Sequence, residues 1–206
     1  MFKKIIALLA IFVASPTLAA DHMDLLISSY STEDGSPVRI QHVMTHRLGV
    51  DWLSLRRISN LDLDSDANWT RIQLKPRVLV KGFEVGNFSF HAVDQLEYFE
   101  TRRFDRTSNR VGAGTEYRLK TLSIEVNYMP YDSLTGDDRW DSYINWRKGK
   151  FAFNNVLWYV PKTGDRYEQA TFIWKLNKRF SVQYQRQWFT KLDTIDRVGF
   201  AVRFMK

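Results

Sequence analysis

The chain has 206 residues, with 30 Lys and Arg against 23 Asp and Glu and no cysteine. Without cysteine there is no disulfide framework, no thiolate metal cluster and no cysteine nucleophile. A mean hydropathy of −0.36 excludes a bundle of membrane helices, and 44% apolar residues with 15% aromatics exclude a disordered chain.

Met1 to Ala20 reads as a cleaved secretory signal peptide. It has a basic start at Lys3 and Lys4, an apolar run from Ile5 to Ala14, and a small-residue cleavage site after Ala19 or Ala20. The apolar run is too short to span a bilayer, which takes about 20 residues. Residues 21–206 then form a single domain exported across the inner membrane of a Gram-negative cell.

Beyond residue 20 the recurring pattern is two-residue alternation, the period of a strand. It predicts twelve strands, at 24–30, 38–47, 50–58, 69–80, 87–100, 109–119, 121–131, 139–148, 150–160, 166–176, 180–190 and 195–204. Strand and connection together take about 15 residues, of which a tilted membrane strand needs about 9–11. The connections are predicted to alternate. Short ones fall at Leu48-Gly49, Lys81 to Gly86, Lys120, Gly149 and Asn177 to Arg179. Longer acidic ones fall at Ser31 to Pro37, Ser59 to Asn68, Thr101 to Ser108, Asp132 to Asp138, Pro161 to Asp165 and Lys191 to Thr194. An even strand count with loops sorted by length predicts an all-β fold, a transmembrane up-and-down antiparallel barrel with short periplasmic turns. Acids of the long set, Asp62, Asp64, Asp66, Asp137 and Asp138, are candidates to meet divalent cations that bridge lipopolysaccharide, or are solvated tips.

In hydrocarbon every backbone polar group must be paired inside the protein, so a chain made only of strands must close on itself. Its outward face is then apolar, with rings at the two interfaces. Val198, Phe200, Val202 and Phe204 share one face, as do Leu122, Ile124, Val126 and Tyr128. Trp52, Trp69, Trp140, Trp158, Trp174 and Trp188 are candidates for the belts. A soluble ligand-binding barrel would point its apolar face inward; here the opposite face is rich in arginine, which suits a wet lumen.

That opposite parity carries Arg39, Arg71, Lys75, Arg77, Arg110, Arg118, Arg139, Asp141, Arg147, Arg197 and Arg203, with Arg47 in the second strand. The acids of the same parity are fewer: Glu97, Glu116, Glu125 and Asp141. Cations in a low-dielectric wall must be paired or wet. A surplus focuses positive potential along a narrow aqueous path, and guanidinium forks match carboxylates. The expectation is an anion-selective channel. By strict parity Arg186, Asp94 and His42 would face lipid, which predicts bulges or shortened strands there. Pro76, which lacks a ladder donor, is expected near the periplasmic rim.

The ending Arg197-Val198-Gly199-Phe200-Ala201-Val202, followed by Phe204, resembles the signal read by the outer-membrane barrel assembly machinery: polar, any, Gly, aromatic, any, apolar. Arg139-Trp140-Asp141-Ser142-Tyr143-Ile144-Asn145-Trp146 resembles a segment of the oligogalacturonate-specific porin family, which includes the N-acetylneuraminate channel. Asp196-Arg197-Val198-Gly199-Phe200 resembles that family's ending. The resemblance implies a monomeric twelve-stranded pore in the cell outer membrane that passes acidic mono- or oligosaccharides, with Arg139, Asp141 and Arg197 at motif positions. The partners expected are outer-membrane lipid and lipopolysaccharide, the assembly machinery and acidic solutes. No nucleic acid, cofactor or metal is expected, and no enzyme activity. The alternatives are a plugged structural barrel and a barrel hydrolase acting on lipid A or phospholipid. For the hydrolase His42, His46, His91, Ser54 and Ser89 are the only material.

Overall fold

In the last strand, Val198 and Phe200 point one way, while Arg197, Gly199 and Ala201 are buried on the other side. The same alternation runs round the whole molecule and closes it. The computed structural model describes residues 22–31, 37–47, 50, 52–190 and 192–205. The leader, the Leu48-Gly49 turn and the side chains of Arg47 and Phe204 lie outside the described residues. The strands are β1 (His22–Ser31), β2 (Val38–Arg47), β3 (Leu53–Leu63), β4 (Trp69–Val85), β5 (Phe88–Thr101), β6 (Asp105–Arg118), β7 (Leu122–Asp132), β8 (Arg139–Lys148), β9 (Phe151–Val160), β10 (Asp165–Lys175), β11 (Phe180–Phe189) and β12 (Ile195–Met205). Each pairs antiparallel with its chain neighbours, and β12 pairs with β1 from Met23↔Met205 to Ser31↔Arg197, leaving no free edge.

The strands are longer than the sequence reading places them at four hairpins. β3 runs on to Leu63, β4 to Val85 and β7 to Asp132, and β6 begins at Asp105. Asp62 and Asp132 are therefore ladder residues and not loop acids. Both are buried, at 0% and 4% exposure. Segments 59–63 and 105–108 belong to strands, so the predicted contrast in loop length is reduced: 64–68 and 102–104 are tight connections. The two ends of the barrel still differ, with 86–87 and 149–150 as the shortest turns, and we orient the molecule with that end at the periplasm. Gly149 has φ of +60°, a conformation that a residue without Cβ adopts freely, at one of these turns.

Gly112 and Gly114 of β6 face inward where β7 crosses close by. A Cβ on Gly112 would lie 2.1 Å from the Tyr128 carbonyl oxygen, and one on Gly114 2.1 Å from Asn127 Oδ1. The register slips between Val111 and Ala113 at this crossing. The space so freed is filled by Met129 and Asn127, both at 0% exposure. Gly199 plays a similar part at the closing seam, where a Cβ would stand 3.0 Å from the Ser28 carbonyl oxygen.

Pro76 is not at a rim. It sits mid-strand, opposite Arg57 of β3. Pairing of β4 with β5 is interrupted there, between Leu74↔Tyr98 and Arg77↔Gln95, because Pro has no N–H to donate.

Candidate functional site: the barrel lumen

Alternation places every arginine of the predicted inward set that has a described side chain on the lumen side. The extracellular half is knit together. Asp62 accepts from Arg39, Nε to Oδ1 at 2.6 Å and Nη2 to Oδ2 at 2.8 Å, and also pairs with Arg71. Glu97 accepts from Lys75 at 3.1 Å, Arg110 at 3.0 Å and the Gln73 amide at 2.7 Å. Arg110 reaches on to Asp132. Arg139 donates to Asp141 at 2.7 Å, and the Tyr143 hydroxyl donates to the same oxygen at 3.3 Å. Between them an amide ladder crosses three strands, from Gln41 to Asn60 at 2.8 Å and from Asn60 to Gln73 at 2.8 Å. Arg197 is 2% exposed, inside the same wall.

Lower down, Arg77 pairs with Glu125 and lies over the Tyr143 ring at 4.8 Å. Asn127 donates to Glu125 at 2.9 Å, and its Oδ1 is 2.7 Å from His91 Nε2. Below this layer the lumen opens into a cavity of about 370 Å³, lined by Trp52, Ser54, Lys81, Glu84, Ser89, His91, Glu116 and Arg118 among others. Arg118 pairs with Glu116 at 2.6 Å at its mouth.

The walls are not equivalent. On the β10 and β11 side the inward residues are neutral: Gln187 donates to Gln169 and Gln185, each at 3.0 Å, and Gln185 reaches Thr171 at 3.4 Å. This amide wall was legible as the alternating Gln183, Gln185 and Gln187, but reading for charge alone passes over it. At the periplasmic end of the same side, Arg147, Lys175 and Arg203 all face inward by register. Among the described residues none of the three has an ion-pair partner, and Arg56 of β3 likewise has none. Alternation along the chain does not place Arg56, because Arg56-Arg57 breaks the pattern of its strand. The inward acids Asp62 and Asp132 fall in segments that read as loops in the sequence. They reduce the surplus of cations expected in the extracellular half, so the uncompensated charge lies mainly toward the periplasm.

Three groups face outward as strict parity requires, with no bulge. Arg186 is opposite Asp196 and is neutralised by it, Nε to Oδ1 at 2.8 Å and Nη2 to Oδ2 at 2.9 Å, with the Tyr184 hydroxyl donating at 2.6 Å. His42 has the outward register, opposite Ser59, but is buried at 6% exposure, and Asp94 is exposed, opposite Val78 and Val111. Of the acids expected in loops, Asp64 accepts from the Asn68 and Asp66 amides at 2.8 and 3.0 Å, and Asp137 accepts from Lys162 at 2.6 Å. Among the described residues no cluster of three or more His, Asp or Glu has the arrangement to hold a metal ion.

A closed twelve-stranded antiparallel barrel with an apolar exterior and a charged interior is the fold of outer-membrane barrel proteins. Solved structures share it. The KdgM porin superposes with a TM-score of 0.64 at 14% identity, over 88% of this chain and 99% of that one. The same porin is also known in complex with disordered oligogalacturonate, with a TM-score of 0.62, 12% identity and coverage of 89% and 99%. Outer membrane phospholipase A from Escherichia coli gives 0.65 at 11% identity, over 94% of each chain. The NanC porin gives 0.59 at 10% identity, over 89% and 100%. No family profile and no curated protein matches the chain.

Proposed function

We propose that this protein is an outer-membrane channel for small anions, with acidic mono- or oligosaccharides as its solute class. The observation that carries the reading is the group of inward cations, Arg56, Arg147, Lys175 and Arg203, that have no ion-pair partner among the described residues, around the periplasmic half of the lumen. Their potential is focused by the low-dielectric wall and draws anions into the path. In the extracellular half an incoming carboxylate meets guanidinium groups already held by Asp62, Glu97 and Asp141. It advances by exchanging for those acids, a ladder of repeated sites that binds weakly enough to release. The amide wall of β10 and β11 offers neutral hydrogen bonds for sugar hydroxyls. The barrel likeness to the KdgM and NanC porins supports this class of solute. The outward rings support a setting among outer-membrane lipids and lipopolysaccharide, and the Arg197 to Val202 segment is the part we assign to recognition by the assembly machinery.

Planar-bilayer conductance under a salt gradient tests the reading. An anion-selective reversal potential, with current reduced by added oligogalacturonate, is the expected result. Cation selectivity overturns it, and absence of current assigns the filled extracellular half to a plug.

A second reading, hydrolysis, is favoured by one local arrangement. Ser89 and His91 share the inward face of β5 in the periplasmic cavity, and His91 is held by Asn127 at 2.7 Å. A nucleophile, a base and an orienting amide are the parts that such chemistry needs. Labelling of Ser89 by a fluorophosphonate, lost in His91→Ala, would support it.

A further inference from the structure

Two charged side chains face outward near mid-strand on the two strands that flank β4. Arg57 of β3 is opposite Pro76, and Asp94 of β5 is opposite Val78. Following paired residues round the barrel, Leu26 leads to His42, Ser59, Leu74, Tyr98 and Thr107. The path starts mid-strand and ends near the extracellular loops, so each successive strand stands higher at equal pairing. That rise offsets the two-residue shift of Asp94 toward the periplasm, and Arg57 and Asp94 lie at nearly one depth. They are about 10 Å apart, two strand spacings, with β4 between them. Asp94 is exposed and, among the described residues, has neither a hydrogen bond nor an ion-pair partner. A carboxylate in contact with acyl chains is costly, and such groups pair with one another or face protein.

The strip around them is also unlike the rest of the exterior. Between Phe90 and Tyr98 the outward positions of β5 are Ala92, Asp94 and Leu96, and β4 presents Leu74, Pro76 and Val78, with no ring. Across the barrel, Trp140, Phe172, Trp174 and Trp188 stand out from β8, β10 and β11.

We propose that this strip is the interface of a two-fold symmetric dimer of this chain. A two-fold axis along the membrane normal that passes the outer face of β4 sets β3 of one copy against β5 of the other. Arg57 then meets the second copy's carboxylate at position 94, and Asp94 meets its guanidinium, at matching depth. The five donors of a guanidinium allow this acceptor in addition to any other. The strip is self-complementary, whereas lipid tails offer neither charge a counterpart. A dimer replaces the monomer that the family resemblance implies, and it stands whether or not the lumen conducts.

The chain has no cysteine of its own, so Val78→Cys places one thiol per copy beside the proposed axis. In the refolded barrel in lipid nanodiscs, mild oxidation is expected to give a disulfide-linked dimer, and Phe172→Cys, on the far side, is not. In the Val78→Cys background, Asp94→Arg is expected to abolish the cross-link, and Arg57→Asp with Asp94→Arg to restore it. Folding of each variant is followed by heat-dependent gel mobility. If Asp94→Arg does not fold, Asp94→Leu, which removes the charge alone, is expected to lower the cross-linked yield at least fivefold. A Val78→Cys protein that stays monomeric, or a yield unchanged by Asp94→Leu and by the charge reversal, overturns the proposal.

Discussion

Arg39 and Asp62 meet side by side across β2 and β3, two parallel hydrogen bonds of 2.6 and 2.8 Å to a carboxylate with no solvent exposure. Fork-to-fork geometry is the strong form of this pair, and Arg71 on the next strand shares the same carboxylate. One acid thus ties three strands together at the extracellular end. Asp62→Asn would remove the counter-charge that two guanidinium groups of the wall share. Loss of one partner of a buried pair costs about 3–5 kcal/mol. The variant is expected to unfold at clearly lower urea concentration by tryptophan fluorescence. An unchanged midpoint would mean that water already solvates this cluster.

Lumen charge is expected to set ion selectivity in two distinguishable ways. Arg147, Lys175 and Arg203 have no acid partner among the described residues, so changing all three to Gln removes positive potential and should bring the reversal potential toward zero. Arg71, Lys75 and Arg77 hold Asp62, Glu97 and Glu125. Their replacement by Gln takes a cation from each of those acids and leaves Glu125 without its arginine, and the preference should fall toward cations. Arg186→Gln, on the outside, should leave the reversal potential where it was.

Arg186 faces lipid and is kept there by Asp196. Asp196→Leu strands the guanidinium on the exterior. An arginine on the lipid face costs about 2–4 kcal/mol at the midplane and about 0–1 near an interface. Arg186 is four residues from the loop that begins at Thr190, so the loss in a urea titration should lie toward the lower figure. Asp196→Leu with Arg186→Leu should recover it.

At Gly112 an added methyl group would meet backbone, the Tyr128 carbonyl oxygen at 2.1 Å and the Met129 Cα at 2.9 Å. Backbone in a closed ladder cannot step aside without loss of its hydrogen bonds. Gly112→Ala is expected to cut the refolding yield sharply, read from heat-dependent gel mobility. The neighbouring Ala113→Val, on the exposed outer face, should refold like the parent.

The turn at 64–68 has a pH dependence of defined sign. The amide of Asn68, then Arg102 and the amide of Asp66, hold the Asp64 carboxyl below its ordinary range. A lowered value in the folded turn means that its contribution is complete above the ordinary carboxylate pKa and is lost as pH falls through the lowered one. Amide exchange at Asn68 should therefore stay slow down to about pH 4, the usual carboxylate range, and quicken below it. In Asp64→Asn it should be independent of pH over that interval once intrinsic exchange is allowed for.

Much of the barrel is legible along the chain because its two surroundings differ so strongly. One side of each strand meets hydrocarbon and the other meets water or charge, so Val198, Phe200 and Val202 alternate with Arg197, Gly199 and Ala201 in plain sight. β3 is one exception, and β9, with its Asn154-Asn155 pair, is another. The Arg56-Arg57 pair of β3 puts one cation in the lumen and the next on the exterior, and Asp62 looks like a loop acid until Arg39 and Arg71 stand on either side of it. The mid-strand place of Pro76 is hidden for the same reason, since the ladder it interrupts belongs to β5.

Twelve strands, their closure and the basic character of the inward face were determined by the sequence alone, because alternation is a property of neighbours along a chain. Which arginines are neutralised and which stand uncompensated was decided only by the tertiary structure. Ion pairs here run across strands. Their partners are set by register, and a shift of one residue would send every one of those side chains to the opposite face.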